Sequence, residues 1–176
     1  MILGAGCIGL MTLLSVKAHG CGKTIVCDLV DAKLEKAKEL GADICINSGR
    51  TDVLKEVRKI TEGHMAEKVF ETAGSPVTIK MTPFLAARGG TVTLVGISTS
   101  ESIEYNFAQI MDKEFTIKSV FRYRNIYPRA IAAVASGAVD VKGIVTHTFD
   151  LDHIQEAYQE AVNNKTDLVK AVIRIQ

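Results

Sequence analysis

The chain has 176 residues, enough for one full domain or for one domain with part of another. Hydrophobic residues make up 47% and charged residues 23%, a soluble balance able to bury a sizeable core. A formal net charge of +1 with no run of like charges excludes a long-range field that would draw the chain to nucleic acid or an anionic membrane.

Short β-rich runs alternate with helix-like segments along the chain, the pattern of βαβ units and a mostly parallel sheet. Met1–Leu3 is too short for a whole strand and reads as the end of one, so the chain is expected to begin inside a longer protein. Ile8–His19 predicts the first helix and Thr24–Asp28 the second strand. Asp31–Leu40 predicts a helix with Asp31 as its cap, an apolar side at Val30, Leu34 and Ala37, and a stop at Gly41. A strand follows over Asp43–Ile46, a helix over Thr51–Thr61 and a strand over Lys68–Glu71. Pro76 opens the next helix, where proline's missing N–H costs nothing.

Arg88-Gly89-Gly90 reads as a turn into a strand over Thr91–Gly96. A polar loop spans 98–106, a short helix lies around Phe107–Asp112, and Phe115–Phe121 predicts the sixth strand. Pro128 begins a helix of small residues that ends at Gly137. Beyond it lie a strand at Ile144–Phe149, an amphipathic helix at Leu151–Asn163 and a strand at Val169–Ile175. The expected fold class is α/β: a doubly wound, six-stranded parallel sheet of Rossmann type over 1–143, with a strand–helix–strand tail over 144–176 too small to be a second domain.

The cysteines Cys7, Cys21, Cys27 and Cys45 show no C-x-x-C spacing, so free, reduced thiols and a cytoplasmic location are expected. Met1–Val16 is apolar but lacks a basic leader, and Gly4, Gly6 and Gly9 interrupt it, which argues against a signal peptide. No segment approaches the length of a membrane span.

Gly4-Ala5-Gly6-Cys7-Ile8-Gly9 is a G-x-G-x-x-G between an apolar strand end and a helix, the context that gives this pattern meaning. Gly4 makes the tight turn, Gly6 lets the backbone approach a pyrophosphate, and Gly9 lets the helix pack on its strand. The diphosphate would then sit on the N–H groups at the helix N-terminus. Asp28, at the end of the second strand and about twenty residues past the loop, can accept from both adenosine ribose hydroxyls and would repel a 2′-phosphate. No arginine follows it in sequence to compensate, so NAD is favoured over NADP. A methyltransferase binding S-adenosylmethionine opens in a similar way, usually with looser glycine spacing and a seventh, antiparallel strand. The Tyr-x-x-x-Lys of short-chain dehydrogenases is absent.

Ligands of an open parallel sheet lie beyond the carboxyl ends of its strands. That rule selects Thr72-Ala73-Gly74, Val95-Gly96-Ile97 and Arg122-Tyr123. The small residues of the first two leave room for a nicotinamide ribose and ring, with Val95–Ile97 offering backbone groups to the carboxamide; simple loop packing is the alternative. Arg122 and Tyr123 suit hydrogen bonding to a polyhydroxylated molecule, or are a surface arginine beside a half-buried tyrosine. His19, His64, His147 and His153 are scattered, and no Cys, His and carboxylate set has metal-ligand spacing, so no metal and no catalytic residue is assigned.

Gly4–Gly9, with Asp28 and Lys33, resembles the medium-chain dehydrogenase/reductase family, which includes the zinc alcohol dehydrogenases. The run Ser119-Val-Phe-Arg-Tyr-Arg-Asn-Ile-Tyr-Pro128 is similar to the Phe-Arg-Tyr-x-Asn-x-x-Pro of its sorbitol (L-iditol 2-) dehydrogenase branch. The resemblance implies an NAD site lined by Gly4, Gly6, Ile8, Gly9, Asp28, Lys33, Val95, Gly96, Ile97, Val120, Phe121 and Arg122, with Lys33 against the adenosine ribose. It implies that Arg122 and Tyr123 contact a polyol, which is oxidised at a secondary alcohol to a ketose with zinc polarising the oxygen. The family's zinc ligands and most of its proton relay come from an N-terminal domain preceding Met1, so this chain is expected to bind nucleotide without turning over substrate. The tail would rejoin that catalytic domain. The family's domains dimerise through sheet edges, which implies a homo-oligomer, and the tail strands are expected to pair with each other or with another chain. Arg124 stands where the branch often has a small residue, which leaves the polyol open. A non-catalytic NAD-sensing module and a methyltransferase are the other readings.

Overall fold

The computed structural model describes residues 1–175; Gln176, the end of the expected tail, lies outside the described residues. Six strands form one sheet: Ile2–Leu3 (β1), Ile25–Asp28 (β2), Ile44–Asn47 (β3), Ala66–Glu71 (β4), Ala86–Leu94 (β5) and Thr116–Ser119 (β6). Their spatial order is β3-β2-β1-β4-β5-β6, and every neighbouring pair is parallel. The order reverses between β1 and β4, which opens a crevice at the carboxyl ends of those strands. An antiparallel strand of the kind usual in methyltransferases is not found among the described residues.

The central strands β1 and β2 are buried on both faces, which explains why they read as continuous apolar runs. Successive residues of a strand point to opposite sides. Ile2 and Val26 therefore join Leu10, Leu13, Leu34 and Ala37 under Cys7–Ala18 (α1) and Asp31–Glu39 (α2). Leu3, Ile25 and Cys27 join the opposite core, with Val53, Val57 and Leu85 from Val53–Ile60 (α3) and Pro76–Leu85 (α4). Ile110 of Phe107–Lys113 (α5) packs against that second core.

Local signals set most helix ends. The Asp52 side chain accepts from the Lys55 amide at 3.1 Å and starts α3, and Ser75 caps α4 ahead of Pro76. Gly41 stops α2 with φ +94°, a left-handed turn that glycine enters without steric cost. Asp31 is not the cap of α2; Val30 is. The Asp31 carboxylate instead accepts from Arg50 and Asn47, because β3 ends beside it.

Three expected boundaries are corrected. Arg88-Gly89-Gly90 is not a turn before the fifth strand, since β5 starts at Ala86 directly after α4. Ala86 pairs with Ala66 and Lys68 with Thr91, so the extra residues are absorbed as an irregularity around Gly89, at φ +67°. The sixth strand ends at Ser119 and not at Phe121, since the last residue in register with β5 is Ser119 opposite Leu94. Ile144 does not begin a strand: Lys142–Ile144 is a 3₁₀ turn, and Ile144 is buried in the core against α1 and α2.

Tyr127–Ala135 (α6) follows β6 with Pro128 in its first turn, and Gly137 ends it at φ +77°. The tail then forms a unit of its own. His147–Asp150 (β7) pairs in parallel with Ala171–Arg174 (β8), and Ile154–Asn163 (α7) joins them. The two tail strands thus pair with each other, anchored to the main core by Ile144 and Val169.

Asp43 links the starts of β2 and β3. Its Oδ2 accepts from the Thr24 amide and the Thr24 hydroxyl, both at 2.7 Å, with Lys17 Nζ at 3.4 Å. The Thr24 hydroxyl, and next its amide, hold the Asp43 carboxyl below its usual range. A pKa lowered on folding contributes stability above the unfolded value and loses it as pH falls through the folded one. Asp43→Asn is therefore expected to lower the urea midpoint at neutral pH, with the gap to the parent closing below about pH 4. A gap that persists unchanged at acid pH would assign the effect to packing instead of charge.

Candidate functional site

β1 ends at Leu3, and the chain turns sharply at Gly4, whose φ is +99° and whose amide donates to the Cys27 carbonyl at 2.7 Å. The glycines after it serve different ends. A Cβ on Gly9 would lie 1.9 Å from the Gly4 carbonyl oxygen, so α1 can approach β1 only with no side chain there. A Cβ on Gly6 would meet nothing within 4 Å, so its bareness answers no neighbour within the chain. Gly6 is also the N-cap residue of α1, and no side chain caps that helix. Open space, a bare backbone and an uncapped N-terminus together make a cradle for an anionic group.

Asp28 ends β2 beside this cradle. Its Oδ2 accepts from the Ala5 amide at 2.6 Å and its Oδ1 from the Val30 amide at 3.0 Å. The carboxylate is thereby held between the glycine turn and the start of α2, with acceptor capacity left on both oxygens. It borders a cavity of about 570 Å³ also lined by Gly4, Leu29, Thr51, Ala73 and Val77. Leu29 and Val77 are both about two-thirds exposed, which offers apolar surface to a flat ring. Cys27 lines the same cavity, but burial, ahead of the neighbouring Asp28 charge, pushes its thiol up to about 11, so it is a packing group and no nucleophile.

The loops after β4 and β5 stack on one another. A Cβ on Gly96 would lie 2.2 Å from the Gly74 amide nitrogen, and one on Gly74 2.5 Å from the Ile97 carbonyl oxygen. Gly96 is therefore a contact between loops, while Ile97 beside it is exposed. Ile8, Val95 and Val120 line one groove of about 290 Å³. Val120, Phe121, Arg122 and Tyr123 line a further cavity of about 880 Å³, with the Arg122 guanidinium 5.0 Å above the Phe121 ring and Tyr123 against Tyr127. That cavity shares Val120 with the groove and no residue with the Asp28 cavity. Lys33 is half-buried in the first turn of α2 and lines none of these spaces.

Two groups were not singled out by sequence reasoning. Arg50 stands between the cavity residues Ser48 and Thr51, and Asp31 holds it in an ion pair. An arginine absent directly after Asp28 in sequence thus stands in the turn that follows β3, paired with Asp31. Glu71, fully buried at the end of β4, is the second; an acidic residue directly after the apolar Val69-Phe70 is the signal that could have found it.

A cavity of about 810 Å³ at the opposite end of β4 and β5 is lined by Arg58, Arg88 and Lys113. Its cations are largely engaged: Lys113 donates to the carbonyls of Pro83, Phe84 and Ala86, and Arg88 pairs with Asp112. Among the described residues, no three His, Cys, Asp or Glu side chains gather as a metal ion would need. No helix among them is long and apolar enough to cross a membrane.

This geometry defines a dinucleotide-type crevice on a Rossmann sheet. The zinc-binding dehydrogenase family model matches residues 7–136, and the chain belongs to that family. It is 46% identical over 175 residues to an uncharacterised zinc-type alcohol dehydrogenase-like protein, YdjJ, of Escherichia coli (strain K12), covering 99% of this chain and 50% of that one. It is 37% identical over 172 residues to the sorbitol dehydrogenase of Bacillus subtilis (strain 168), covering 98% and 49%. The chain thus spans about half the length of the curated relatives it matches. Among solved structures, the alcohol dehydrogenase rspB of Escherichia coli CFT073, complexed with NADH, superposes with a TM-score of 0.91 at 29% identity, covering 99% of this chain and 51% of that one.

Gly6 and Gly9 separate binding from folding. Gly6→Ala is expected to leave the urea midpoint nearly unchanged, within roughly 0.5 kcal/mol, while abolishing dinucleotide binding. Gly9→Ala should cost about 3 kcal/mol or more through overpacking against backbone. Parallel melts and NADH titrations of the two variants check this; a Gly6→Ala variant that still binds like the parent would remove the cradle assignment.

Proposed function

We propose that this chain is the NAD-binding portion of a zinc-dependent polyol dehydrogenase, an enzyme that oxidises a secondary alcohol of a sugar alcohol to a ketose. The observation that carries the reading is the pairing of the open backbone at Gly6 with the Asp28 carboxylate on the rim of the adjoining cavity. The sorbitol dehydrogenase relative supports the polyol, and the structural neighbour complexed with NADH supports the cofactor.

Bound NAD would supply the hydride acceptor. Around it, the α1 N-terminus and Gly6 hold the pyrophosphate, and Asp28 accepts from the adenosine ribose hydroxyls. Asp28 disfavours a 2′-phosphate by repulsion. Ile8, Val95 and Val120 shield the nicotinamide side from water, and the backbone of Val95–Ile97 offers hydrogen bonds to the carboxamide. Arg122 and Tyr123 bind the polyol hydroxyls.

In this reading residues 1–143 bind the cofactor and 144–176 rejoin a catalytic domain that carries zinc, so the chain alone binds nucleotide without turnover. Free cysteines support a cytoplasmic location. The free sheet edges at β3 and β6 offer the surfaces for a homo-oligomer.

Calorimetric titration with NADH and with NADPH tests the cofactor assignment. NADH should bind more tightly, and Asp28→Ala should weaken it by about tenfold or more, the loss of charge-assisted hydrogen bonds worth roughly 1.5–3 kcal/mol. Equal affinity for the two nucleotides, or a preference for NADPH, would overturn the role of Asp28.

A further inference from the structure

We infer that Glu71 is the positioning residue of this cofactor site, a buried carboxylate that holds the two strand-end loops at residues 72–74 and 95–97 in one fixed arrangement. The inference rests on the NAD reading above. Glu71 is fully buried at the end of β4, where it lies beneath the crevice without lining any of its cavities.

Its side chain is met only by donors. Oε1 accepts from the Ala73 amide at 3.0 Å, the Gly74 amide at 3.0 Å and the Thr78 hydroxyl at 2.8 Å, and Oε2 accepts from the Gly74 amide at 3.2 Å. No lysine or arginine among the described residues pairs with it. Taking a carboxylate out of water is costly unless hydrogen bonds replace its hydration. Here the replacement comes from the backbone of the loop itself, so the loop can leave its position only by stranding the acid.

The same residue governs the second loop through its main chain. The Glu71 carbonyl accepts from the Val95 amide at 2.8 Å and the Gly96 amide at 2.9 Å. Gly74 and Gly96 then pack backbone on backbone, and an added Cβ on Gly96 would lie 2.8 Å from Glu71 Oε2. A shift of the 72–74 loop is thereby passed to Val95 and Ile97. Glu71 need not touch a cofactor to set where its nicotinamide half rests.

Glutamine keeps the size of the side chain but has only one acceptor atom, and its NH₂ would face the Gly74 amide, donor against donor. The experiment compares the unaltered chain with Glu71→Gln in three measurements: hydrogen exchange without ligand, melting, and titration with NADH and with AMP. The expected result for the unaltered chain is slow exchange at the amides of Ala73, Gly74, Val95 and Gly96, although Ala73 is exposed. In the variant, exchange at these four should rise, and NADH should weaken by about tenfold. AMP, which does not reach the 95–97 loop, should weaken less. Equal losses for both nucleotides together with a general fall in melting temperature would overturn the assignment and leave Glu71 a plain core group. Fast exchange at those amides in the unaltered chain would overturn it without any variant. If the unaltered chain binds AMP but not NADH, the NAD reading fails, and this assignment with it. Tight NADH binding that Glu71→Gln does not change would sink the assignment while leaving that reading intact.

Discussion

The Gly4 carbonyl oxygen occupies the place where a side chain on residue 9 would begin, 1.9 Å from an ideal Cβ. That steric constraint draws the first turn of α1 down onto the end of β1. Once it is there, the bare backbone at Gly6 faces open space, and the Ala5 amide comes within 2.6 Å of Asp28 at the end of β2. The crevice, the uncapped helix end and the carboxylate on its rim all follow from one close approach of helix to strand. The parallel sheet makes that approach possible, because helices cover both faces of its central strands and leave their carboxyl ends open.

A second theme is the use of backbone amides to hold carboxylates. Asp28 takes two, Asp43 takes one with a hydroxyl, and Glu71 takes two with a hydroxyl. Each stands at a strand end, where the ladder stops and amides are left to find acceptors. Two of these arrangements sit at the carboxyl edge, where they fix the loops that shape the crevice. Asp43, at the other edge, ties β2 to β3. The chain thus rigidifies its strand ends with short-range polar contacts and leaves hydrophobic burial to hold the layers together.

The Rossmann order was legible because its signals are local. Gly4 to Gly9, Asp28, Pro76 and the period of each apolar run depend on neighbours in sequence, and the helices and strands they imply are present. Misplaced boundaries share a different cause. The start of β5 at Ala86 depends on pairing with Ala66, and the burial of Ile144 depends on a surface built by α1 and α2. Asp31 has the composition of a cap, yet Arg50 and Asn47, brought in by β3, claim its carboxylate.

By itself the sequence determined the fold class, the glycine turn and the acidic residue that ends the second strand, since these rest on backbone sterics and side-chain periodicity. Tertiary structure alone decided that Gly9 answers a carbonyl while Gly6 answers nothing in the chain. It also decided that Gly96 belongs to a loop contact, that Arg50 pairs with Asp31, and that Glu71 anchors two loops. The reason is distance along the chain: residues 71, 74 and 96, or 31 and 50, meet only after separate strands have taken their places in the sheet.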